Sequence, residues 1–128
     1  MNAAEQALAA LGQEWGFGPL ALDERGTLAL QAESGRRVGI ERTGTGLALY
    51  VAAPAEYEAG AWLLRAFKRA HHSRHEGWPV QVALRNREHR HWLLALVRIE
   101  EAGIEPAQLR AAVDYLNRWL DAVRDATR

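Results

Sequence analysis

Cysteine is absent from the 128 residues, which excludes disulfides, thiolate catalysis and cysteine-ligated zinc and fits a reducing compartment. Serine is nearly absent too: Ser34 and Ser73 are the only two, and neither sits in a nucleophile elbow. Lys68 is the single lysine, so the glycines at 44 and 46 lack both the lysine of a phosphate-binding loop and its strand-loop-helix setting. Paired carboxylates exist, Asp23-Glu24 and Glu100-Glu101, but they fall at turns or strand ends, where such residues serve turn chemistry. No catalytic residue and no cofactor are therefore expected. No apolar run approaches the ~20 residues of a membrane span, and the N-terminus has neither the basic start nor the apolar core of a secretory signal. A cytoplasmic protein without membrane contact is the expectation.

What is present is ordinary for one globular domain spanning residues 1–128: 48% of the residues are apolar and 25% charged, with no repeat or biased segment. Acids and bases balance at 16 each, but unevenly along the chain. Residues 65–98 carry eight cations (Arg65, Lys68, Arg69, Arg74, Arg85, Arg87, Arg90, Arg98) against Glu76 and Glu88, which leaves eight basic and fourteen acidic residues elsewhere.

The chain opens with an amphipathic helix. Asn2 is its N-cap with Glu5 as capping-box partner, Ala4, Leu8, Leu11 and Trp15 fall on one face, and Gly16, Gly18 and Pro19 stop it. Leu20 and Leu22 alternate into the turn Asp23-Glu24-Arg25-Gly26, and Leu28, Leu30 and Ala32 return with the same parity, which predicts a hairpin with one apolar face. Val38 and Ile40 mark a further short strand. Residues 47–53 are apolar at every position, so that strand is covered on both sides or lies against a partner.

A second helix is expected from Pro54 to about His72, with Arg65, Lys68, Arg69 and His72 as a narrow polar face. Its apolar residues, among them Trp62, Leu63, Leu64, Phe67 and Tyr57, fill an arc of roughly 220°, well beyond the stripe of about 100° that docking on one core requires. Two surfaces should cover it: its own sheet, and the same helix in a second copy, because a two-fold contact is self-complementary. Trp78, Val80, Val82 and Leu84 then alternate towards a turn at 86–89, and the unbroken apolar run 92–97 reads as a return strand that is central or buried at an interface. Pro106 suits a first helical turn, and Leu109, Ala112, Val113, Leu116, Leu120 and Val123 make a helical stripe after it. The order is helix, three or four strands, helix, two strands, helix: an α+β fold.

That order, with Leu8-x-x-Leu11-Gly12, Leu20-x-Leu22-Asp23-Glu24-x-Gly26, Leu28-x-Leu30 and Gly46-Leu47-x-Leu49-Tyr50, resembles the class I type III secretion chaperones of Gram-negative bacteria, also called the Tir chaperone family. The resemblance implies a small homodimer, or a heterodimer with a related chaperone. Such a dimer binds the N-terminal segment of a secreted effector in extended form, keeps it soluble and export-competent, and presents it to the type III export machinery without catalysing any reaction. It implies effector-binding grooves built from Leu8, Leu11, Trp15, Phe17, Leu20, Leu22, Leu28 and Leu30. The dimer interface would come from the middle helix and adjoining strands, here Trp62, Leu63, Phe67 and Trp92. Family members are commonly acidic, and this chain departs from that in its basic centre.

Two other readings carry less. His71, His72 and His75 form an H-H-x-x-H run, but no glutamate intervenes and no carboxylate cluster completes a ligand set, so they read as a solvated helix end and no metal is expected. The basic residues 65–98 with Trp78 and Trp92 allow the competing reading of a nucleic-acid-binding α+β domain. Those cations, however, follow one helix face or cluster round a turn, and no RNA-recognition or zinc-finger motif is present, so a nucleic-acid partner is not expected.

Overall fold

In the computed structural model, which describes residues 2–55, 59–73, 78–102 and 104–125 (backbone only at 72 and 73), Asn2 opens the first helix as its sequence position requires. Its side-chain oxygen accepts from the backbone N–H of Glu5 at 2.8 Å and satisfies one donor that the first turn leaves over. This helix, α1 (Ala3–Glu14), ends where Phe17 N bonds Gly12 O at 2.9 Å and Gly16 turns at φ 83°. The elements after it are β1 (Thr27–Gln31), β2 (Arg37–Arg42), β3 (Gly46–Pro54), α2 (Ala59–Ser73), β4 (Gln81–Arg87), β5 (Arg90–Glu100) and α3 (Pro106–Asp125).

The five strands form one antiparallel sheet in the order β1-β2-β3-β5-β4. Strand parity then separates its faces. Leu47, Leu49, Val51 and Ala53 of β3 and Leu93, Ala95, Val97 and Ile99 of β5 join the core formed with Leu8 and Leu11 of α1 and Leu109, Leu116 and Leu120 of α3. Each such leucine, taken out of water completely, contributes about 1.5–3 kcal/mol. Tyr50, Ala52, Trp92 and Leu94 point the other way and form a separate small cluster. The both-sided apolarity of 47–53 thus has its explanation: helices cover one face of β3, and the other face is covered within the same chain.

Side chains rather than helices do that covering. The ring of Tyr50 lies across Gly39, its partner on β2, so closely that any Cβ at position 39 would collide with it. Arg85 stands over the same ring at 5.9 Å, and Arg37 and Arg90 stand over Trp92 at 4.7 and 5.3 Å. Only 9% of Tyr50 and 4% of Trp92 remain exposed.

Two sequence expectations need correction. Residues 20–22 do not form a strand, so of the three or four strands expected before α2 there are three, and β1 pairs forward with β2 instead of back with 20–22. Among the described residues the one main-chain bond on the other side of β1 is Asp23 N to Thr27 O, 2.8 Å, which closes the turn 23–27 and carries the pairing no further. Pro54 does not open α2 but ends β3 opposite Trp92, and the pairing runs on to Ala55, whose N–H bonds His91 O at 2.9 Å. A strand end tolerates proline's missing donor as readily as a first helical turn does. Tyr57, His75 and the side chain of His72 lie outside the described residues.

Candidate client-binding grooves

Gly12 decides the shape of the region expected to bind a client. A side chain there would strike the carbonyl oxygen of Gly18 and the side chain of Leu20, so the glycine lets the segment after α1 fold back across the helix. Leu20 and Leu22 are thereby laid beside Leu8 and Ala9, leaving a groove of about 360 Å³ floored by these residues and Pro19. Glu5, Asp23, Glu24 and Arg42, all exposed, surround it, with Arg42 and Glu5 facing each other at 3.9 Å.

Asp23 is committed to its own turn. Its carboxylate accepts from the Thr27 backbone N–H at 3.0 Å, the Thr27 hydroxyl at 2.9 Å and the Arg25 N–H at 2.9 Å. The bonds from Thr27, with a smaller one from Arg25, hold its pKa below the ordinary carboxylate value. This fixed turn sets where β1 begins.

A second groove, about 280 Å³, lies beyond the end of α1 and is lined by Trp15, Phe17, Leu30, Gln31, Ala32, Val38, Val113 and Asn117. Arg36 fixes its α3 wall. The guanidinium, on a side chain only 13% exposed, bonds Asn117 O and Oδ1 at 3.1 and 3.0 Å and the Asp121 carboxylate at 2.6 Å. β1, at one edge of the sheet, runs from the first groove, which reaches Gly26 just before it, to the second, which takes in its last residues Leu30 and Gln31; apart from the Asp23 bond, its outer side carries no main-chain partner among the described residues.

Of the eight residues expected to bind a client, Leu20 and Leu22 line the first groove, which the fully buried Leu8 backs from the core, and Trp15, Phe17 and Leu30 line the second. Phe17 is 58% exposed. The other two do not line a groove: Leu11 is fully buried in the core and Leu28 packs partly buried against it. Both sit on an apolar stripe that serves core and groove at once, and periodicity alone does not divide it. Val38, Val113 and Asn117 were not legible in the sequence as groove residues, because only tertiary structure brings β2 and α3 to the end of α1.

The four residues expected at a dimer interface also separate. Trp62 and Leu63 are half-buried against the chain's own core, with Ala59, Ala66 and Ala70 on the same side of α2. Phe67 and its neighbour Leu64 stand 51% and 56% exposed. Trp92 is on the opposite face of the sheet from α2, under its arginines. Beside the apolar strip Lys68 and Arg69 are exposed, whereas Arg65 is half-buried with Nη1 out of contact with solvent.

The architecture has relatives in known structures. Over 94% of its length the chain matches 99% of a chain in the structure of the Yersinia pestis type III secretion chaperone SycH in complex with a stable fragment of YscM2, at 14% identity and a TM-score of 0.65. The fold is that of a type III secretion chaperone. The HopA1–SchA chaperone–effector complex shares this chaperone fold at 14% identity and a TM-score of 0.63, with 94% of this chain and 91% of the other covered. The ExsC–ExsE complex shares it at 19% identity and 0.66, with 94% and 92% covered. No family model and no curated protein sequence matches. Three-dimensional arrangement is thus kept in this chaperone fold where the residues that build it have changed.

Proposed function

We propose that the protein is a type III secretion chaperone that holds the N-terminal segment of a secreted effector in extended form. The observation that supports this best is the pair of apolar grooves at the two ends of β1, whose outer edge has no strand partner among the described residues, on a fold shared with SycH in its complex. An extended client can hydrogen-bond along β1 while alternate side chains enter the grooves, which gives affinity with loose sequence demands. Ordering the client costs conformational entropy, and a long contact offsets it.

The chaperone works in the cytoplasm, delivers its client to the type III export machinery and catalyses no reaction. No helix among the described residues is long and apolar enough to cross a membrane. The chaperone is a dimer, of two copies or with a related chaperone, whose contact includes Leu64 and Phe67 beside the half-buried Trp62 and Leu63. Large exposed apolar side chains next to each other on one helix are unusual unless a partner covers them.

The test is co-expression with candidate secreted proteins encoded nearby, then limited proteolysis. An N-terminal client fragment should survive digestion only in the complex. Clients digested equally with and without the chaperone would remove this reading.

A further inference from the structure

The basic centre of the sequence is not used by the grooves, and the fold divides it. Arg65, Lys68 and Arg69 go to α2, while Arg85, Arg87 and Arg90 go to the hairpin of β4 and β5, where they join Arg37 of β2 on the helix-free face of the sheet. These four arginines surround Tyr50 and Trp92 in a shallow depression. Arg98 lies at the far end of the same face, near Glu41 and Glu100 in the strand register, so charge there is mixed. Around the two rings the charged side chains among the described residues are of one sign, with a single exception.

The exception is Glu88. With His89 it forms the two-residue turn between Arg87 and Arg90, at φ 56° and 64°, a conformation that usually takes Asn-Gly. This left-handed turn brings the Glu88 carboxylate to 3.6 Å from Arg37, although the glutamate is itself 67% exposed. Among the described residues, no carboxylate pairs with Arg85 or Arg87.

We propose that this arginine-over-aromatic face is a second docking surface, for an acidic segment of a partner protein, and that Glu88 is the carboxylate such a segment displaces. A guanidinium stacked on a ring can still offer its N–H fork at the edge, in a plane that suits a carboxylate, as Arg85 over Tyr50 is placed to do. Single-stranded nucleic acid fits less well, because it needs open ring faces for its bases, and those of Trp92 and Tyr50 are already covered by arginine. A second copy of the chain fits less well too, since the apolar atoms of this face are buried before any partner arrives. The surface is separate from the client grooves, which lie by α1 at the other edge of the sheet.

The experiment measures binding of fluorescent decaglutamate to the full chain by anisotropy, with decaglutamine and an oligothymidine as comparison probes. Decaglutamate should bind and decaglutamine should not. Arg85→Glu with Arg87→Glu should weaken binding roughly tenfold or more, as loss of charge-assisted contacts does. Arg25→Glu with Arg118→Glu changes the net charge equally on other surfaces and should leave binding nearly unchanged. Glu88→Gln should tighten it about twofold to fivefold by releasing Arg37. Equal weakening by both double variants, no effect of Glu88→Gln, or tighter binding of oligothymidine than of decaglutamate would overturn the proposal. So would loss of self-association in the Arg85/Arg87 variant, which would make the face a contact between copies. Failure here leaves the client grooves untouched, because their test is protection of an effector fragment.

Discussion

Arg36, in the turn between β1 and β2, reaches α3 and places its guanidinium 2.6 Å from the carboxylate of Asp121. The same side chain holds Asn117, so one residue joins the edge of the sheet to the helix that walls the second groove. Arg36→Met keeps the aliphatic stem and removes every one of these bonds. Stability should fall by about 1–3 kcal/mol, seen as a lower urea midpoint at unchanged slope. Asp121→Asn should cost less, since Asp121 is 43% exposed and the Asn117 bonds remain.

Gly12→Ala tests whether the first groove depends on the backbone crossing. The new methyl would meet the carbonyl oxygen of Gly18 and the main chain of Leu20, 2.7 Å away at its nitrogen, and backbone cannot step aside as a flexible side chain can. We expect a loss of about 1–3 kcal/mol together with weaker client binding. A variant of unchanged stability and affinity would show that the crossing does not shape the groove.

Leu22→Asp probes the groove floor without disturbing the core. Leu22 is half-buried beside the first groove, so a charge there stays hydrated while no client is bound and opposes an apolar side chain that enters. Client affinity should drop at least about tenfold with the circular dichroism spectrum and oligomeric state unchanged. Leu11→Asp is a poor probe of the same idea, because Leu11 is fully buried and the substitution unfolds the core.

Phe67→Asp addresses the dimer. Since Phe67 is 51% exposed in the single chain, the substitution should cost the protomer little, and light scattering should report a shift to monomers. A mutant that remains dimeric at micromolar concentration would place the contact elsewhere. Trp62→Arg answers less cleanly, because Trp62 also packs on the core of its own chain.

Asp23 gives the turn before β1 an acid dependence. Its pKa is lowered in the fold, so its contribution to stability is present above the unfolded value of 3.8 and is lost as pH falls through the lower folded value. Thr27 and Arg25 amide resonances should move together with the Asp23 carboxylate in a titration by nuclear magnetic resonance. Asp23→Asn should abolish that coupled shift.

The parts of the structure that were legible in sequence are those with local causes. The Asn2 cap, the stripes of α1 and α3, the outer turns and the alternation of β4 all follow from spacing between neighbours, and the overwide apolar arc of α2 does leave Leu64 and Phe67 uncovered. Residues 20–22 misled because alternation alone does not supply a partner strand. Trp119, 3% exposed under Arg69, was missed because it lies beside the clean stripe of α3 instead of within it. The arginine cover of the second sheet face was equally hidden. It depends on strands separated in the chain being brought into register, and from composition those arginines read as a solvated surface.

Tyr50 and Gly39 make one further point about the history of this chain. With the ring occupying the room that any larger residue at 39 would need, neither position is free to drift by itself. Among descendants of a common ancestor, the aromatic should persist wherever the glycine does and shrink where it is replaced. The two sites should therefore be inherited as a linked pair.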